Sequence, residues 1–182
     1  MHISLLFKSK NKDTKYKLMK KIGLLSDTHG YIDEKVMDFF NECDEVWHAG
    51  DIGNIETADS ISNMKPMKAV YGNIDGQDVR IVYPQIQSFV CENVKVLMTH
   101  IGGYPGKYEK TMREVIAKVK PKLFISGHSH ILKVIYDDKN DLLHINPGAA
   151  GKSGMHRLVT AVRFQIDGSE IKELEVFEKK RG

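Results

Sequence analysis

Lys21-Ile22-Gly23-Leu24-Leu25-Ser26-Asp27-Thr28-His29-Gly30 is a short apolar run that breaks abruptly into two metal-competent side chains and a glycine. Apolar residues without alternation predict a strand buried on both faces, as in a parallel sheet. Ile32, Val36, Phe39 and Phe40 then recur at helical spacing, so the stretch reads as strand, turn, helix. Alternate side chains share a face of an extended backbone, so Asp27 and His29 are expected to point to one side and close on one ion. Taken alone, the pair equally suits a surface turn that caps the next helix.

The same punctuation recurs along the chain. Glu45 to Ala49 is a second apolar run, ending in Gly50-Asp51 and followed by a helical stretch from Glu56 to Asn63; Met67 to Tyr71 is a third, ending in Gly72-Asn73. Strands alternating with helices predict βαβ units and a mainly parallel sheet. Gln87 to Cys91 and Lys95 to Thr99 flank a tight turn at Glu92-Asn93-Val94, and the second run ends in His100. A helix from Tyr108 to Val119, with Met112, Val115, Ile116 and Val119 on one face, precedes Leu123 to Ser126 and Gly127-His128-Ser129-His130. Lys133 to Tyr136, Leu142 to Ile145, Leu158 to Ile166 and Ile171 to Phe177 form a hairpin-rich close to an α/β chain.

Each metal-competent cluster thus falls at the carboxyl end of a predicted strand, the edge where open α/β sheets bind ligands. The set is Asp27, His29, Asp51, Asn73, His100, His128 and His130: four imidazoles, two carboxylates and one amide, with no thiolate. Such donors suit divalent ions outside a structural zinc site. They suffice for two ions if Asp51 bridges them. Two ions ~3.5 to 4 Å apart can clamp the attacking and leaving oxygens of a phosphoryl displacement. With two aspartates against two dications, the site stays cationic and attracts a phosphate ester.

Composition narrows the class. The 182 residues, 41% hydrophobic and 28% charged, hold no apolar run near the roughly 20 residues of a membrane span. One domain, residues 19 to 182, is expected, preceded by a basic extension at 1 to 18 that holds five lysines and a possible extra strand from His2 to Phe7. The net charge of +3 comes largely from that end, and no basic stripe recurs later, so a nucleic-acid polymer is not the expected partner. Cys43 and Cys91 have no CxxC spacing, which fits reduced thiols in a cytoplasmic protein. Hairpin edges permit a homo-oligomer.

In order and spacing, Ser26 to Gly30, His48 to Asp51, Gly72 to Asp75, His100, Gly127 to His130 and Asn146 to Gly148 resemble the signatures of the calcineurin-like metallophosphoesterase superfamily, in particular its small bacterial and archaeal phosphodiesterases. The resemblance spans residues 20 to 177. It implies an α/β fold, a four-layer αββα sandwich of mixed sheets with the active site at the carboxyl ends of strands. Asp27, His29 and His130 would hold one ion and Asn73, His100 and His128 the other, with Asp51 between. Manganese is the preferred ion, with nickel, iron or zinc as alternatives. A hydroxide bridging the ions would attack phosphorus, and Asp51, Asn73 and His100 would carry the catalysis. A phosphodiesterase acting on a small ester is the leading expectation; a phosphomonoesterase, or a protein-binding scaffold resembling a retromer subunit, are the alternatives.

Around this set, His48 reads equally as support for Asp51 or as core, Asp75 as a hydrogen-bond partner near His100 or the substrate, and His144 as structural. Gly102 to Gly106 is a candidate substrate loop with Tyr104 as its contact, and Lys152, His156 and Arg157 either meet phosphate or lie in a solvated loop. Many superfamily members carry a histidine after the asparagine of the Gly72-Asn73 signature, able to protonate the leaving group; here Ile74 stands in that place. Aryl esters, which leave without a proton, should therefore be favoured over alkyl esters. Ile74→His is expected to raise alkyl-ester turnover relative to aryl, and an unchanged ratio would refute this account.

Overall fold

A computed structural model describes residues 19–181; the possible strand from His2 to Phe7 lies outside them. The first sheet holds β1 (Met19–Leu25), β2 (Glu45–Ala49), β3 (Met67–Val70), β9 (Leu158–Asp167) and β10 (Glu170–Lys180) in the order β10-β9-β1-β2-β3. The second holds β4 (Ile86–Cys91), β5 (Val94–Thr99), β6 (Leu123–Ile125), β7 (Leu132–Asp137) and β8 (Leu142–Pro147) in the order β4-β5-β6-β8-β7. Ile22, Leu24, Trp47, Val70, Val162 and Phe164 of one sheet pack against Val96, Met98, Leu123, Ile125 and Ile145 of the other. Trp47 sits edge-on to Phe89 and Phe164, with ring centroids 4.9 and 5.9 Å away.

Helices complete the outer layers. α1 (Glu34–Phe39) and the following Phe40 cover the far face of the first sheet through Val36, Met37 and Phe40. α2 (Ile55–Ser62) and α3 (Gln77–Val82) add Ala58 and Val79 against Ala69, and α4 (Lys110–Val119) packs Met112 and Ile116 on Leu97 and Phe124. This is the αββα sandwich. Gly23 is required where Phe40 crosses β1, because a Cβ there would lie 2.6 Å from the Phe40 ring. Asp33 and Asn54 cap α1 and α2 by accepting from the Lys35 and Thr57 amides.

The sheets are mixed, as expected: β1-β2-β3 and β5-β6-β8 are parallel cores, and hairpins add antiparallel strands at their edges. α3 was not expected, since six residues offer too little periodicity to stand out from a loop. Among the described residues, no helix is long and apolar enough to cross a membrane. Cys43 and Cys91 are buried and unpaired, and burial pushes both thiols up to about 11.

His144 on β8 is fully buried beside the Phe124 ring, and neither of its ring nitrogens makes a well-formed hydrogen bond. Burial pushes its pKa down to about 4 from 6.5. The unfolded chain therefore takes up this proton first: the titration costs nothing above pH ~6.5, and stability falls by up to about 3 kcal/mol as the pH drops towards 4. His144→Phe should leave stability at pH 7 intact and make the acid limb shallower by one proton, as read from denaturant unfolding across that pH range.

Candidate metal centre

The carboxyl ends of β1, β2, β5 and β6 meet at one edge of the sandwich, and an unusual backbone brings their side chains together. Asp27, His29, Asp51, His128 and His130 all have left-handed backbones, with φ of 56, 50, 55, 69 and 56°. Each costs on the order of 1 kcal/mol for a residue with a Cβ, and such strain concentrates at functional sites. β1 ends at Leu25, so Asp27 and His29 do not converge by strand alternation. They converge because the loops after β1 and β2 zip together, with Asp27 N–H donating to Gly50 O (2.9 Å), His29 N–H to Asp51 O (3.0 Å) and Gly30 N–H to Ile52 O (2.8 Å).

Two groups result that could each hold a metal ion: Asp27 with His29 and His130, and Asp51 with His100 and His128. Asp27 Oδ1 lies 3.1 Å from His130 Nε2 and 3.9 Å from the Nε2 atoms of both His29 and His100. Asp51 touches both groups, with Oδ1 3.2 Å from His100 Nε2 and Oδ2 3.8 Å from His29 Nε2. Asp27 Oδ1 and His100 Nε2 are buried without a hydrogen-bond partner, a costly state unless a cation satisfies them. Electrostatics agree: although burial opposes it, the Asp51 and Asp27 carboxylates raise the pKa of His100, so the pocket favours positive charge. These donors fit divalent cations. Asn73 is exposed after β3 and shares with His100 a cleft of about 240 Å³.

Neighbouring groups fix the donors in place. His100 Nδ1 lies 2.8 Å from Ala49 O, which leaves Nε2 free to face the centre. Asp27 Oδ2 accepts from the Ser26 hydroxyl at 2.6 Å and the His128 amide at 3.2 Å, and Asp51 Oδ1 accepts from the Ile74 amide at 3.1 Å. His130 Nδ1 lies 3.0 Å from His156 Nδ1, whose Nε2 is 3.1 Å from Gly151 O. The one assignment that satisfies the chain has His156 donating to the carbonyl and accepting from His130, so that His130 also presents a bare Nε2. Asn146 steadies the next loop by donating to Gly127 O (2.8 Å) and accepting from Gly148 N–H (3.0 Å).

His48 supports the centre. It accepts from Gly50 N–H at 3.2 Å and meets Thr28 Oγ1 at 2.9 Å, and burial pushes its pKa down to about 4. Asp75 has both of its oxygens taken by backbone amides. It accepts from Gly53 and Gly72 amides, both at 2.7 Å, and so ties the loops after β2 and β3. Tyr104 has its ring under Lys133 Nζ at 3.6 Å and lines, with His128 and His144, a cleft of about 120 Å³. Lys152 stacks on Tyr31 at 3.7 Å, and Arg157 is exposed, its carbonyl accepting from Arg181 N–H. Sequence spacing did not single out Arg80 of α3, which donates to Asp75 O (2.7 Å) and Asn73 O (3.1 Å). It left His156 undecided, since only the folded loop brings it to His130.

Removing the support behind His130 tests this arrangement. His156→Ala should weaken divalent-cation binding by about 10 to 100-fold, measured by calorimetry on chelator-stripped protein. The melting temperature of the stripped protein should change little.

The chain is similar to known proteins. The calcineurin-like phosphoesterase superfamily domain matches residues 19–169. A probable metallophosphoesterase of Methanocaldococcus jannaschii is 30% identical over 134 residues, covering 70% of this chain and 67% of its own. Among solved structures, a conserved protein of Streptococcus pneumoniae TIGR4, described as a predicted phosphoesterase, has a TM-score of 0.61 at 19% identity, covering 89% of this chain and 99% of its own. Vps29 of Entamoeba histolytica complexed with zinc has 0.69 at 16%, with the same coverages. The chain belongs to the calcineurin-like phosphoesterase superfamily and is a metal-dependent phosphoesterase.

Proposed function

We propose that the protein hydrolyses a small phosphodiester at a binuclear centre. Asp27, His29 and His130 would hold one divalent cation, Asn73, His100 and His128 the other, and Asp51 both. The observation that carries this reading is the pair of buried, unpartnered donors, Asp27 Oδ1 and His100 Nε2, facing each other across 3.9 Å with Asp51 in reach of both groups. Divalent cations there supply Lewis acidity, which offsets phosphate charge and makes water a competent nucleophile near neutral pH. Manganese, the ion implied by the family resemblance, is the proposed ion, and the four imidazoles make zinc, iron and nickel the alternatives.

The chain's own residues favour a diester. A phosphomonoester brings a second negative charge, yet the basic side chains around the centre are engaged elsewhere: Arg80 with backbone carbonyls, Lys133 and Lys152 with tyrosine rings. Two clefts with no lining residue in common reach the centre, one along Asn73 and His100 and the other along His128 and His130, leaving space for two ester groups. The Asn73 amide would bind a nonbridging phosphate oxygen. Ile74 brings no proton donor, which suits a leaving group that departs as the anion. The buried free thiols of Cys43 and Cys91 fit a reducing, cytoplasmic setting.

Chelator-stripped protein reloaded with Mn²⁺ should bind two ions per chain by elemental analysis and turn over bis(4-nitrophenyl) phosphate faster than 4-nitrophenyl phosphate. Asp51→Asn should lower diester turnover on the order of 10³-fold. Two bound ions with no turnover of either ester would move the reading to a protein-binding scaffold.

A further inference from the structure

The polar centre has an apolar rim. Ile74 follows Asn73, Ile101 follows His100 and Ile131 follows His130, and these side chains are 44, 44 and 56% exposed; Met155, beside His156, is 99% exposed. Single exposed aliphatics are ordinary, but several gathered at one functional edge are not. Ile131 and Met155 line one cleft of about 450 Å³ together with His128, Ser129, His130, Gly154 and His156.

Met155 is held there from both sides. His156 meets His130 at 3.0 Å. Gly154, with φ of 114°, passes so close to His130 that a Cβ would lie 2.5 Å from its Nδ1. A fully solvated methionine is thus carried by a fastened loop to the edge of the reacting centre. Its unbranched, polarizable side chain adapts to apolar shapes.

We infer that the cleft beside His128 and His130 receives an apolar organic group of the substrate, with Ile131 and Met155 as its walls. The substrate class is then a phosphate ester carrying a hydrophobic, aryl-like substituent, not a sugar phosphate or a nucleic-acid strand. This inference rests on the phosphoesterase reading of the centre.

Two esters sharing one leaving group test it: 4-nitrophenyl phenyl phosphate and 4-nitrophenyl methyl phosphate. Wild-type protein loaded with Mn²⁺ should show a phenyl-to-methyl ratio of kcat/KM that falls roughly tenfold in Ile131→Ser and again in Met155→Ser. Calorimetry should show phenylphosphonate binding about tenfold tighter than methylphosphonate, with the difference lost in the double variant. Turnover with the same ratio in wild type and variants would overturn the inference and leave the phosphoesterase reading standing. A phenylphosphonate preference without turnover of either ester would keep the rim and sink that reading. If the double variant instead lost self-association in sedimentation, with the ester ratio unmoved, the rim would be a protein-docking surface and the inference would fail.

Discussion

One carboxylate oxygen, Asp27 Oδ1, constrains this edge of the molecule. It is buried with no donor of its own while three imidazole nitrogens converge on it within 3.1 to 3.9 Å. A protein interior does not tolerate such an atom for stability's sake, because an unpaired buried charge costs several kcal/mol. The surroundings hold it in place nonetheless: its companion oxygen is fixed by Ser26 and the His128 amide, and its backbone by Gly50. The arrangement suits a bond to a cation.

The left-handed residues follow from the same constraint. Strand alternation would separate the donors along β1; a turn at each donor folds them back over the strand ends. Hydrogen bonds between loops offset that strain, from the zip between the loops after β1 and β2 to the Asp75 carboxylate that joins the loops after β2 and β3. The centre is therefore assembled by loop-to-loop contacts, with the two sheets serving to deliver the loops to one edge.

This explains what was legible in the sequence. Apolar runs ending in Asp, Asn or His announce themselves, so most strands and the candidate donors at their ends could be read from the residues, whereas the αββα layering was implied only by the family resemblance. The route by which Asp27 and His29 converge could not, because a backbone dihedral leaves no mark on residue type when the residue is not glycine. α3 and Arg80 were hidden by the helix's six-residue length. Asp75 and His156 were visible as residues, but their partners lie 22 and 26 positions away and are settled only by the fold.

The lysines resting on Tyr104 and Tyr31 have a consequence for when the protein meets its substrate. Both lysines keep their charge but are directed at aromatic faces, and the floor of the centre carries charge of its own. Stripped of metal, the floor presents two carboxylates and repels an anionic ester. Under the proposed function, bound dications would reverse that sign and draw the ester in. Metal loading would then act on encounter itself, before any bond is broken.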